Sequence, residues 1–132
     1  MANEFRILID TNVLIWASVD EDLITSEAQA VLTDKSIPKF VSLASVWEMQ
    51  IKNSLGKLPL IGPAHESAAK YAATLRAQLL EVKLEHVAAL YELPYLHKDP
   101  FDRMLLAQCL SEGLTFVTPH RALQAYNVPI LW

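Results

Sequence analysis

Phe5-Arg6-Ile7-Leu8-Ile9-Asp10-Thr11-Asn12 is the stretch whose reading decides the fold. Four of residues 5–9 are apolar, and Ile7 and Ile9 are β-branched, which reads as a short buried strand. The apolar run stops on Asp10, and Val13-Leu14-Ile15-Trp16 resumes it as a short helix over 13–18. Asp10 therefore sits where a strand ends and a helix begins, the crevice in which open α/β sheets place ligands. The simpler alternative is that Asp10 caps the following helix, since Asp is a favoured N-cap.

Working outward, helical and extended segments alternate. Thr25 is placed to cap a helix to about Asp34, with Glu27 in its first turn, where the helix dipole favours negative charge. Residues 37–42 read as a second strand with Pro38 at its start. A helix over 43–55 carries Leu43, Val46, Trp47, Ile51 and Leu55 at helical spacing as its expected buried face, and Gly56 closes it. Residues 57–63 form an apolar, Pro-containing loop suited to cover a groove or meet a partner. A helix over 64–79 places Ala68, Ala72, Leu75 and Leu79 on one face. A strand is expected at 81–84 and helices at 85–93 and from Asp99-Pro100 through Leu110, the last closed by Gly113. Residues 114–117 read as a strand, 120–125 as a short helix and 128–132 as an edge strand. The alternation predicts one α/β domain over 1–132, built on a mainly parallel sheet of four to five strands.

Composition bounds the function. The 132 residues suffice for one core, and 52% are hydrophobic, so the chain is globular. Eleven Lys+Arg against 15 Asp+Glu give a net charge of −4, which argues against a broadly basic nucleic-acid binder. It leaves room for a small anionic pocket that meets phosphates through bound cations. No apolar run reaches the length of a membrane span, and the N-terminal residues lack the order of a signal peptide. The single cysteine, Cys109, has no internal disulfide partner. A cytoplasmic protein is the expectation.

Acids recur at helix starts. Asp10 follows the first strand, Glu48 lies early in the helix after the second, and Asp99 and Asp102 open a later helix. In a parallel sheet such helix starts gather at one edge, so these carboxylates are expected in one cleft. Clustered carboxylates raise one another's pKa and call for a neutralising partner. Oxygen ligands select a hard divalent cation, Mg²⁺ or Mn²⁺. Two such ions about 4 Å apart hold a phosphodiester, lower the pKa of water and stabilise a leaving oxygen, with no Ser, Cys or His nucleophile. Each acid also has a structural alternative. Ser45-x-x-Glu48 fits a capping box, Glu48 and Lys52 form an i,i+4 pair, and Asp99-Pro100-Phe101-Asp102 fits the first positions of a helix. Those alternatives leave unexplained why Glu48 stands beside Trp47 and Ile51, an apolar setting in which an unpartnered carboxylate is costly.

The whole chain resembles the PIN domains, in their bacterial VapC-type branch. Ile9-Asp10-Thr11-Asn12-Val13-Leu14-Ile15-Trp16 is similar to the family's opening signature. Trp47-Glu48-Met49-Gln50-Ile51-Lys52 with Gly56-Lys57-Leu58 is similar to its second acidic motif. His97-Lys98-Asp99-Pro100-Phe101-Asp102-Arg103-Met104-Leu105-Leu106-Ala107-Gln108, the most specific of the three, is similar to its third. The resemblance implies a three-layer α/β/α fold and a Mg²⁺- or Mn²⁺-dependent endoribonuclease, the toxin of a toxin–antitoxin pair. It implies a cognate antitoxin plugging the cleft, and a homodimer. By position it makes Asp10, Glu48 and Asp102 the core metal-holding and catalytic acids, with Glu48 acting directly or through water. Asp99 is a further acid of the branch, a ligand or an N-cap that orients the loop.

One departure stands out. Where many PIN domains carry Asp in a Thr-x-Asp pattern, this chain has Thr118-Pro119-His120. Histidine is a softer ligand, poorly suited to Mg²⁺ and tolerable to Mn²⁺. The number of ions is therefore open, and His120 is either a contact to the scissile phosphate or chemically idle. Lys52, Arg103, Thr118 and His120 are the expected substrate contacts, with Lys98 and Arg121 as further phosphate contacts. His65, His86 and His97 lack ligand-like spacing and are expected at the surface or in packing. Trp16, Trp47 and Trp132 are candidates for base stacking, with core packing as the alternative. Two other classes compete. One is a PIN-like RNA- or protein-binding module whose catalysis is weakened by His120. The other is a phosphatase with Asp10 as nucleophile, disfavoured because Asn12 stands where the haloacid-dehalogenase-like pattern wants a second Asp.

Overall fold

In a computed structural model, which describes residues 4–132, strands and helices alternate along the chain. Residues 1–3 of the expected 1–132 domain lie outside the described residues. The strands are β1 (Ile7–Ile9), β2 (Lys39–Ser42), β3 (Gln78–Leu80), β4 (Thr115–Val117) and β5 (Ile130–Leu131). The helices are α1 (Thr11–Val19), α2 (Ser26–Thr33), α3 (Leu43–Ser54), α4 (Ala64–Thr74), α5 (Leu84–Leu90) and α6 (Pro100–Glu112), with 3-10 turns at Glu21–Leu23 and Arg121–Ala125. All strand pairs are parallel, in the order β3-β2-β1-β4-β5.

Period-2 alternation in the central strands separates two cores. Ile7, Ile9 and Val117 pack with α1, α2 and α4 through Val13, Leu14, Leu32, Ala68 and Ala72. Leu8 and Phe116 face the other way, onto Leu105, Leu106 and Cys109 of α6. The result is the α/β/α sandwich expected from the sequence. Because β1 leads to β2 on one side and is flanked by β4 on the other, the strand order reverses beside β1. The carboxyl ends of β1 and β4 therefore open the crevice where such sheets bind ligands.

Two expectations are corrected. The helix read over 64–79 ends at Thr74, and β3 occupies 78–80 instead of 81–84, so Leu79 belongs to a strand. The helix ends because Arg76 takes φ 58°. Its N–H donates to the Ala73 carbonyl (3.0 Å) while that of Ala77 donates to Ala72 (2.8 Å), a Schellman closure built without glycine. In α3 the buried face is Ala44, Ser45, Glu48 and Met49, whereas Leu43, Trp47 and Leu55 are exposed, Trp47 by 63%. No helix among the described residues is long and apolar enough to cross a membrane.

Candidate metal centre

Asp10 is the residue after β1, and its position is the N-cap of α1, yet its side chain makes no capping hydrogen bond. Its Oδ2 instead accepts the Thr118 hydroxyl at 2.6 Å, across the sheet at the end of β4. That same Thr118 oxygen accepts the His120 N–H at 3.3 Å, which folds the chain back so that His120 Nε2 stands 3.6 Å from Asp10 Oδ2. The capping explanation of Asp10 therefore fails, and Thr118 holds the acid's orientation from a fully buried position.

Asp102 arrives from α6. Asp99 caps that helix, its Oδ1 accepting the N–H groups of Phe101 and Asp102, both at 2.9 Å, with Pro100 at the first helical position. This fixes the helix start and frees the Asp102 side chain, which meets His97 Nε2 at 2.8 Å. Donor atoms of Asp10, Asp102 and His120 lie within 4.8 Å of one another. His120 thus joins the acids, and Asp99 serves them as a cap.

Glu48 is 8% exposed, on the inward face of α3. Ser42, not Ser45, caps α3, its Oγ accepting the Ala44 N–H, so the capping-box explanation of Glu48 fails too. Ser45 Oγ instead accepts the Thr11 hydroxyl at 2.9 Å, a buried link between the turn carrying Asp10 and the helix carrying Glu48. Glu48 pairs with Lys52 Nζ at 2.9 Å. Its charge reaches Asp10, but it stands outside the 4.8 Å cluster.

The electrostatics follow from burial. Asp10 is pushed from 3.8 up to about 6, first by desolvation and then by the charges of Asp102 and Glu48; the Thr118 hydrogen bond and His120 oppose the rise. Asp102 is also raised, chiefly by burial and secondarily by Asp99, against the pull of His97 and His120. Two desolvated carboxylates and an imidazole facing each other fit a divalent cation. Asp10 Oδ1 makes no hydrogen bond among the described residues, so a ligand atom is left over, and bound positive charge would relieve the strain on both acids. The mixed oxygen and nitrogen set suits Mn²⁺ at least as well as Mg²⁺.

Arg103 is corrected. Its guanidinium is buried against the carbonyls of Pro94 (3.0 Å) and Leu93 (3.4 Å) and stacks on Tyr95 at 4.4 Å, so it organises the 93–97 loop and is not free to meet a phosphate. Tyr126 completes that clamp, its hydroxyl accepting the His97 N–H at 2.9 Å. The chain of contacts Arg103–loop–His97–Asp102 went unread in the sequence, where His97 had no ligand-like spacing. A second cluster, Glu85, His86 and Glu112, joins α5 to α6. There His86 Nδ1 accepts the Lys83 N–H at 3.0 Å, which leaves the proton on Nε2, facing Glu112 at 2.7 Å, as a buried structural tie.

The PIN domain family profile matches residues 7–127, and the chain belongs to that family. Its fold is shared by chains in several solved structures. One is VapBC2 from Rickettsia felis bound to a promoter DNA fragment, with TM-score 0.70 and 14% identity over 96% of this chain and 98% of that one. Another is DNA-bound VapBC from Salmonella typhimurium, with TM-score 0.67 and 15% identity over 96% and 97%. FitAcB from Neisseria gonorrhoeae gives TM-score 0.62 and 18% identity over 96% of each chain. A search of curated proteins returned no match.

Proposed function

We propose that this chain is a Mg²⁺- or Mn²⁺-dependent endoribonuclease and the toxin of a toxin–antitoxin pair. The observation that carries the reading is the meeting of Asp10, Asp102 and His120 within 4.8 Å at the sheet's switch point. Asp10 and Asp102 hold the cation, and His120 Nε2 is the third donor. When bound, the cation offsets the charge of the phosphodiester and of the departing oxygen. Thr118 and His97 keep the two carboxylates aimed, which is the role such outer hydrogen bonds play at metal sites. Glu48, set further back, acts through water. Lys52, whose side chain is 37% exposed beside Glu48, is the phosphate contact on the cleft wall.

Partners follow from the same reading. The fold also matches a chain of a solved toxin–antitoxin complex from Klebsiella pneumoniae, which supports a cognate antitoxin; a homodimer belongs to the same proposal. An apolar groove of about 360 Å³ opens beside the acids, lined by Ala44, Trp47, Val82, Leu90, Phe101 and Met104. It is a better place for an apolar antitoxin segment than the 57–63 loop, of which Leu58 and Leu60 are partly taken up by the core. The substrate is RNA, and the working compartment is the cytoplasm. Mapping new 5′ ends in total RNA after incubation with the purified chain tests the reading. Cleavage should need Mn²⁺ or Mg²⁺ and fall by at least about a hundredfold in Asp10→Asn, since losing even an outer hydrogen-bond partner of a metal site costs about 10–100-fold. Cation-independent cleavage, or full activity in the variant, would contradict it.

A further inference from the structure

Beside the acid centre lies a second concavity that the cation chemistry does not use. It has a volume of about 430 Å³, within the roughly 300–1,000 Å³ of small-ligand sites. Its walls come from three places. Glu27 belongs to the first turn of α2, Arg121 and Gln124 to the 3-10 turn after β4, and Thr115, Thr118, Leu131 and Trp132 to β4, the edge strand β5 and the residues that follow them. Thr118 is the shared wall, since its hydroxyl binds Asp10 at 2.6 Å. Thr118 thereby connects the cavity to the acid centre. The side chains of Glu27, Arg121 and Gln124 have no hydrogen-bond or ion-pair partner among the described residues.

The chemistry of these walls selects the occupant. A carboxylate repels phosphate, so the cavity is ill suited to the RNA backbone. A carboxylate, a guanidinium fork, an amide and an indole together match a nucleobase with adjacent donors on one edge and adjacent acceptors on another. Guanine has that pattern: N1–H and N2–H₂ suit a carboxylate, and O6 and N7 suit a bidentate arginine. Adenine, cytosine and uracil lack the adjacent pair of donors. Trp132, partly buried against Trp16 with ring centroids 6.1 Å apart, offers an aromatic surface for the base. We infer that this cavity is a guanine subsite, which seats one base of the RNA beside the scissile phosphate and sets where the chain cuts. The inference rests on the endoribonuclease reading for its role in cleavage, but base binding can be measured without it.

The test has two arms. In the first, NMR titration of the cation-free chain with guanosine, adenosine, cytidine and uridine monophosphates should show guanosine monophosphate binding at least about tenfold more tightly than the others. Glu27→Gln and Arg121→Ala should each remove most of that preference. Both side chains are exposed, and an unchanged melting curve confirms that the variants fold. In the second arm, mapped RNA ends should show guanine next to the cut bond, and the ratio of cutting at guanine to cutting at adenine should fall about tenfold in Glu27→Gln. Equal binding of all four nucleotides, no binding, or variants that keep the wild-type preference would overturn the assignment. So would protection of the cavity by a copurifying polypeptide with no nucleotide selectivity. Selective guanosine monophosphate binding through Glu27 and Arg121 in a chain that cuts no RNA would support the subsite while sinking the nuclease reading.

Discussion

Asp10, 2% exposed and facing Asp102 and Glu48, is kept in place by the Thr118 hydroxyl and by His120. Its carboxyl titrates near 6 in the fold against 3.8 unperturbed, so the folded chain binds that proton more tightly than the unfolded chain. Raising the pH strips a proton the fold prefers to keep. The stability of the cation-free protein should therefore fall as pH rises from about 4 to about 6, by up to about 3 kcal/mol from this group. Asp102, raised in the same direction, adds a slope of the same sign. Thermal melts in chelator should show Asp10→Asn gaining on the wild type across that window, with the gap holding steady above it. A gap that shrinks as pH rises would mean the carboxylate stabilises the empty fold. The residue scale is also where the sequence was hardest to read. Thr11–Ser45 and Thr118–Asp10 join positions 34 and 108 apart, and no local pattern announces such pairs.

At the scale of elements, β1, β2, β4 and the helix starts at Thr25 and Asp99 were legible because their signals are local: β-branched runs, caps and Pro at the first helical turn. β3 was misplaced because the stop signal of α4 is an arginine at φ 58°, where a reader looks for glycine. That position yields a prediction. The Arg76 side chain is exposed, has no hydrogen bond among the described residues, and its charge disfavours that of Lys39. Arg76→Gly removes the left-handed strain and should stabilise the chain by about 1 kcal/mol, a rise of roughly 3–5 °C in Tm. A lower Tm would show that the arginine contributes through the folded surface. The buried face of α3 was misjudged for a related reason. Apolar spacing pointed to Trp47 and Leu43, but the helix turns its Ser45–Glu48 side inward, with Ser45 bound to Thr11. Trp47 packs edge-on against Phe101 at 5.2 Å, beside the open apolar groove. An inward polar face overrides the hydrophobic stripe there, a local rule broken of the kind expected near sites.

At the scale of the molecule, the strand order β3-β2-β1-β4-β5 is what makes one centre out of residues about a hundred positions apart. The alternation of elements predicted the layers, and the acids at helix starts predicted a shared edge. The departure at His120 was visible in the sequence, but its meaning was not, since only the turn after β4 shows the imidazole brought to Asp10. The proposed function requires Asp10, Asp102 and His120 to form one divalent-cation site. Calorimetric titration of the purified chain with Mn²⁺ measures that directly. The wild type should bind, Asp10→Asn and Asp102→Asn should each weaken binding by about tenfold or more, and His120→Ala should weaken it as well. Wild-type Mn²⁺ affinity retained in both Asp10→Asn and Asp102→Asn would contradict the account.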